Sequence, residues 1–188
     1  GKKRKLVPTK WSITATDDII SKSIVEKILE NSLIDTRKIF SYEQLGNIFS
    51  VILFPHRWVF EIIEAWYSNG VLGFGSDNED ARGINHPPNI AGAYFAAKLG
   101  VSEYLLKNKI QAGVLIFREI RPEYAIPVGV WQVREGIREA MKQKPEIILN
   151  FNQALQIASA KTSVSEKEWI ANGDTTNMIR QKTLSDFI

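Results

Sequence analysis

Cysteine is missing from all 188 positions. Its absence excludes disulfides, cysteine nucleophiles and every cysteine-ligated zinc or iron–sulfur site within this chain. Histidine is almost as scarce. His56 and His86 are the only two, and neither has a motif partner that would make it a general base. No apolar run approaches the roughly 18–20 residues that span a bilayer, and the basic start is not followed by a hydrophobic stretch, so no membrane helix or secretory signal is expected. The strings GxxxxGK[ST], HExxH and GxSxG do not occur, and the glycines between Gly70 and Gly75 do not form a dinucleotide fingerprint. No internal repeat is visible.

What remains is an ordinary globular composition. With 44% hydrophobic residues, the chain can bury one substantial core, and the expectation is a single mixed α/β domain with a central sheet and flanking helices. The formal charge is +3, but it is unevenly spread. Lys2, Lys3, Arg4, Lys5 and Lys10 stand in the first ten residues with no acid among them, which leaves 19 basic against 21 acidic residues in the remainder. A body so close to neutrality is not a strong polyanion binder by charge alone. The basic arm is expected to be solvated, with contact to phosphate or a nuclear-import role as alternatives. With Gly1 in place of Met, the expectation is a processed or engineered terminus that an upstream segment could precede.

The expected organisation is a basic arm over 1–10, a body over 11–171 and a flexible tail over 172–188. Leu6 to Ala15 reads as extended, and Asp17 with Asp18 as the opening of a helix that carries Ile20, Ile24 and Ile28. Ile39–Tyr42 and Ile48–Phe54 read as strands, the second too continuously apolar for an exposed edge and stopped by Pro55. Trp58, Ile62 and Trp66 stand four apart and predict a short helix, Ser68-Asn69-Gly70 a turn, and Val71–Phe74 a return strand. Residues 75–89, with their glycines, prolines and charges, read as a long polar loop. Helices are expected over 91–109 and 130–143, a buried strand over 112–117 and a short strand over 147–149. Asn150 caps a helix through Ala160, and Ser165 with Glu168 forms a capping box for a last helix through Ala171.

Three groups of residues are candidates for chemistry. Arg118, Glu119, Arg121 and Glu123 follow a buried strand, the place where ligand crevices open in α/β folds, although alternating charges there also make structural salt bridges. Arg134, Glu135 and Arg138 lie on the next helix, and the two arginines share a face that could hold a phosphate or simply be solvated. Asp77, Glu79 and Asp80, with Arg82, sit in the polar loop. Carboxylates so grouped can gather magnesium but are more often solvated, and no metal is assigned. Catalytic roles and cofactors stay unassigned within the set Arg118, Glu119, Glu123, Arg134, Glu135, Asp77, Glu79, Asp80 and Arg82. Lys10-Trp11-Ser12 and Arg57-Trp58 suit either cation–π packing or base stacking, and core packing is the simpler reading of the tryptophans.

The last eight residues, Gln181-Lys182-Thr183-Leu184-Ser185-Asp186-Phe187-Ile188, resemble the PIP box (Q-x-x-aliphatic-x-x-aromatic-aromatic) that attaches replication and repair proteins to the DNA sliding clamp, proliferating cell nuclear antigen. One tight helical turn gathers Leu184, Phe187 and Ile188 on a single apolar face. Burying them yields roughly 1.5–3 kcal/mol each. Ordering the tail takes back a few kcal/mol, so the expected net is about −8 kcal/mol, a micromolar affinity. Gln181 would supply an amide to a polar subsite. Ile188 departs from the pattern by filling the last aromatic position.

Further strings in order, namely Lys5–Thr14, Trp58–Trp66, Ile90-Ala91-Gly92-Ala93-Tyr94, Arg118–Tyr124 with Pro127, and Gly129–Glu135, resemble the archaeal Nre (novel repair) family, specifically its C-terminal domain. That resemblance implies an archaeal, cytoplasmic and DNA-associated protein that acts in the DNA-damage response with the sliding clamp. DNA itself is a further possible partner. Family members carry an upstream half with a cysteine-based zinc element, which a chain without cysteine cannot supply. The alternative function is a nucleotide-dependent enzyme acting on nucleic acid or nucleotides, for example by nucleotidyl- or ADP-ribosyl-type transfer, with a pocket near Arg118, Glu119 and Arg134.

Overall fold

The computed structural model describes residues 9–124 and 129–175, the first three of them as backbone alone. The basic arm through residue 8 and the clamp-like motif Gln181–Ile188 lie outside the described residues. The fold is mixed α/β. In chain order it runs α1 (Thr9–Ile28), β1 (Ser32–Leu33), β2 (Arg37–Gln44), β3 (Asn47–Phe54), β4 (Val59–Ser68), β5 (Val71–Asp80), α2 (Ala91–Asn108), β6 (Ile110–Gln111), β7 (Gly113–Ile120), α3 (Val130–Ala140), β8 (Glu146–Ile148), α4 (Phe151–Ala160) and α5 (Glu166–Ala171).

Six strands form one sheet in the order β5-β4-β7-β3-β2-β8, and β1 with β6 forms a two-stranded parallel sheet. Every pairing in the larger sheet is antiparallel except that of β4 with β7. Two hairpins are closed by left-handed residue pairs, Leu45-Gly46 between β2 and β3 and Asn69-Gly70 between β4 and β5, the backbone that two-residue hairpin turns need. Gly46 has a second reason to lack a side chain, because a Cβ there would lie 2.9 Å from the Tyr124 backbone nitrogen.

Both faces of the sheet are covered. Phe40, Phe49, Val51, Phe60, Ile62, Val114 and Ile116 pack under α1, α2 and α3, with Val25, Ile28, Tyr94, Ala97, Leu105, Val133 and Ile137 as the helical side. On the other face Ile39, Ile52, Val59, Ile63, Leu115 and Phe117 meet Phe151, Leu155 and Ala158 of α4 and Trp169 of α5. Trp169 stacks on Phe117 with ring centroids 4.7 Å apart. Each large apolar side chain so buried contributes roughly 1.5–3 kcal/mol.

Several sequence expectations are corrected. Trp58–Trp66 is not a helix but belongs to β4 and the residue before it. A spacing of four residues is even, so it places side chains on one face of a strand as well as of a helix, and a strand buried on both faces shows no alternation to decide between them. The chain is helical from Thr9, so Leu6–Ala15 is not extended throughout and Asp17 and Asp18 sit inside α1 rather than at its start. Ile20 is 43% exposed and does not join Ile28 in the core. Residues 75–80 continue β5 as an edge strand, where polar residues are tolerated because one side is unpaired, which shortens the expected loop to 81–90. Arg118 and Glu119 lie within β7, not after it.

Candidate functional site

β4 carries two acids within an apolar run, Glu61 and Glu64, and each begins a buried polar cluster. Glu64 lies toward the carboxyl end of β4, level with Arg118 on the parallel neighbour β7. The two form a buried ion pair. Arg118 also donates from Nε and Nη2 to Asn47 Oδ1 of β3, at 3.0 and 2.6 Å, and from Nη2 to Gln132 Oε1 in the first turn of α3 at 3.3 Å. Its guanidinium carbon sits 5.6 Å from the centre of the Phe49 ring. Each guanidinium nitrogen is engaged by a protein acceptor. Strand alternation turns the next residue the other way, and Glu119 is buried on the α4–α5 face, where it accepts from the Ser163 backbone N–H at 3.1 Å and from the Ser163 hydroxyl. Arg121 bridges Glu119 and Glu43, and Glu123 is exposed.

The arginines of α3 are likewise occupied. Arg134 donates to the buried Asp17 of α1 at 2.6 Å, and Arg138 is held by Glu103 of α2 and by Glu135 of its own helix. Hydrogen bonding to Glu103 raises the Arg138 pKa further above its ordinary value. The two arginines pin α3 to its neighbours, so the sequence-predicted grouping of Arg118, Glu119 and Arg134 does not gather into one pocket.

The acids expected in the polar loop are also divided. Asp77 accepts from the backbone N–H groups of Asn89 and Ile90, at 2.8 and 2.6 Å, and so holds the entry to α2, where a negative group suits the helix N-terminus. Glu79 is buried under α2 and accepts from Trp58 Nε1 at 3.0 Å, the Tyr94 hydroxyl at 2.5 Å and Lys98 Nζ at 2.8 Å. Burial first, then the Glu79 carboxylate, pushes the Tyr94 phenol well above its ordinary pKa, so Tyr94 stays a donor. Asp80, at the surface, is paired with Arg82, and that hydrogen bonding lowers its pKa. Among the described residues no three His, Cys, Asp or Glu side chains are grouped to hold a metal ion. His56 lies with Nδ1 2.6 Å from the neighbouring Arg57 carbonyl oxygen and its ring 6.0 Å from that of Phe54.

Where β5 ends, a cavity of about 390 Å³ opens between Val59, Asn78, Asp80, Arg82, Asn85 and Thr175. Thr175 reaches it because of Glu61. That carboxylate is fully buried and accepts from two successive backbone N–H groups, Asp174 at 2.7 Å and Thr175 at 3.0 Å. Asn78, opposite Glu61 across the β4–β5 pair, donates to the Asp174 side chain at 2.9 Å. Burial raises the Glu61 pKa, and the two backbone donors offset part of that rise. Sequence reasoning named Asp80, Arg82 and Glu79 for this region. It missed Glu61, Glu64, Asn47, Lys98 and Asp17, although two acids inside the run Val59–Trp66 were a visible signal that something buried must satisfy them.

Comparison with known proteins extends this geometry. Residues 79–187 match the family described as Archaeal Nre, C-terminal, and residues 1–72 match Archaeal Nre, N-terminal. The resemblance is therefore to both parts of the family and not to the C-terminal part alone. The DNA repair protein NreA of Archaeoglobus fulgidus is 42% identical over 191 residues, which cover 99% of this chain and 47% of that protein. NreB of the same organism, also named a DNA repair protein, is 34% identical over 100% of this chain and 50% of its own length. The DNA repair protein NreA of Haloferax volcanii is 37% identical over 86% of this chain and 41% of its own. The chain spans about half the length of the curated relatives it matches. No solved structure matches it. No helix among the described residues is long and apolar enough to cross a membrane.

Proposed function

Because the chain belongs to the archaeal Nre family, we propose that it serves in DNA repair and that its Gln181–Ile188 segment recruits it to the DNA sliding clamp. The names of its relatives support the first part. The second rests on one observation, the placement of Gln181, Leu184, Phe187 and Ile188 at the offsets of a clamp-binding motif. The body is suited to an accessory role: its buried charges are matched within the fold, and its near-neutral charge favours a partner that supplies DNA proximity. Isothermal titration of the full chain with the clamp tests this. A micromolar dissociation constant that is lost on Phe187→Ala is the expected result, and no heat of binding from the wild-type chain would refute it.

A second reading, a nucleotide-dependent enzyme, draws on the position of Arg118 where the parallel strands β4 and β7 end, the region in which α/β folds bind ligands. It is weakened by the engagement of every Arg118 nitrogen and by the separation of Glu119 and Arg134 from it. Thermal melts with ATP, ADP, NAD and divalent cations separate the readings, since a ligand at 100 times its dissociation constant adds about 2.7 kcal/mol.

A further inference from the structure

The near-neutral total of the body hides an uneven distribution of charge. Three helices cover one face of the sheet and run in the same direction. Gly92 abuts Val130 where α2 and α3 begin, Gly100 abuts Ile137 further along, and Glu103 pairs with Arg138 beyond that. Lys107 and Lys142 then line one groove where both helices end. α1 is parallel to them as well, because Asp17 in its first half reaches Arg134 on α3, and the chain that follows it reaches Gln111, just beyond the end of α2. The buried Gln111 side chain gathers that end of the molecule. It donates from Nε2 to the carbonyls of Leu29 and Asn31, at 3.2 and 3.1 Å, and accepts at Oε1 from the Trp58 backbone N–H at 3.1 Å. The exits of α1 and α2 and the connection between β3 and β4 are thereby held together.

Each of these segments carries exposed cations: Lys27 in the last turn of α1, Arg57 beside Trp58, Lys107 and Lys109 at the end of α2, and Lys144 just past α3. None of the five has a carboxylate partner among the described residues. At the opposite end of the sheet the arginines are matched, Arg118 by Glu64, Arg121 by Glu43 and Arg134 by Asp17. A lysine in a last turn suits the helix dipole, which accounts for Lys27 and Lys107. It does not account for Arg57, which lies on no helix, or for Lys144 beyond α3. The exposed acids Glu30 and Asp35, between α1 and β2, offset part of this charge.

We propose that this helix-exit end is a DNA-docking surface that contacts the sugar–phosphate backbone without reading sequence. The inference rests on the DNA-repair reading, which supplies the polyanion. Neutralising phosphates releases the counterions condensed on DNA, and unpaired, solvated cations do so without first giving up a carboxylate. Lys142, held by Glu139, is less suited to it. Backbone contacts position a protein on the duplex and carry no base information. Five such contacts limit the slope of log affinity against log salt to about −4.5, which is modest binding of the kind that a clamp attachment would supplement.

The test is fluorescence anisotropy of the full chain with a labelled DNA duplex of mixed sequence, over a range of salt concentrations. The basic amino-terminal arm is the same in every protein compared, so differences report the surface. Lys107→Gln with Lys144→Gln should weaken binding at least about fivefold at low salt and reduce the magnitude of the salt slope by about 2. Lys22→Gln with Lys167→Gln removes the same charge from the middle of α1 and from α5 on the other face, and should change the affinity less than about twofold. Glu30→Gln should tighten binding, a gain that a damaged fold would not produce. Equal losses from the two double variants would overturn the proposal, because binding would then follow net charge and not this surface. No anisotropy change from the unaltered chain at low salt would overturn it too. Titration with the clamp is read separately, so DNA binding that persists without clamp binding would remove the clamp reading and leave the surface standing.

Discussion

Lys98 on α2 and Glu79 on β5 meet at 2.8 Å with side chains 1% and 2% exposed. Truncating one member of such a pair leaves the other charge buried and uncompensated, which costs about 3–5 kcal/mol. Lys98→Met is therefore expected to destabilise the protein by that amount in urea denaturation. The double variant Lys98→Met with Glu79→Leu should recover most of the loss, because the stranded charge goes with its partner. A double variant as unstable as the single one would mean that the Trp58 and Tyr94 bonds to Glu79, and not the ion pair, hold α2 on the sheet.

The hairpin at Leu45-Gly46 makes a sharper prediction about backbone than about charge. Gly46 sits at φ +71°, and a Cβ would meet the Tyr124 backbone at 2.9 Å. Left-handed backbone costs an L-residue about 1–2 kcal/mol, and the contact adds to it. Gly46→Ala should lower the stability by at least that much in thermal melts, whereas Gly70→Ala, where nothing lies within 4 Å, should show only the conformational cost.

Acidification separates burial from hydrogen bonding at Glu61. Its folded pKa is raised above the ordinary 4.5. Between those two values the folded chain keeps a proton that the unfolded chain releases. The resulting stabilisation is fully present below 4.5 and is lost as pH rises through the folded value. Measured against Glu61→Gln, the wild-type chain should gain stability on acidification across that window. A loss of relative stability on acidification would show that the backbone donors outweigh burial.

The tail yields a prediction in the opposite direction from most substitutions. Ile188 occupies a position that the clamp motif fills with an aromatic ring, and a ring buries more surface and packs with defined geometry. Ile188→Phe should tighten clamp binding about three- to tenfold, worth up to about 1.4 kcal/mol. Titration of both proteins against the clamp decides it, and removal of residues 181–188 should leave the melting temperature nearly unchanged.

Local signals carried a large part of this fold. Asn150 caps α4 and the Ser165–Glu168 box caps α5 where the sequence placed them, because a cap is a contact between residues three apart. Asn69-Gly70 closes its hairpin for the same reason. β4 was misread because its four-residue spacing serves two periodicities, and no local residue decides between them. The clusters were legible only by halves. Period-two alternation alone would have sent Arg118 and Glu119 to opposite faces once they were known to lie inside a strand. That Arg118 finds Asn47 and Glu64, or that Arg134 finds Asp17, depends on which strands and helices become neighbours, and pairs 54 to 117 positions apart leave no mark on nearby sequence.

The matches to the two family parts break between residues 72 and 79, yet β3 and β4 on one side of that break flank β7 from the other. The strands are interleaved like fingers of two clasped hands. A breakpoint placed there, whether by gene fission or by an experimenter trimming an expression plasmid, would hand each product half a sheet with long unpaired edges, prone to stick to its own copies. The two matched parts therefore stand or fall together as one sheet.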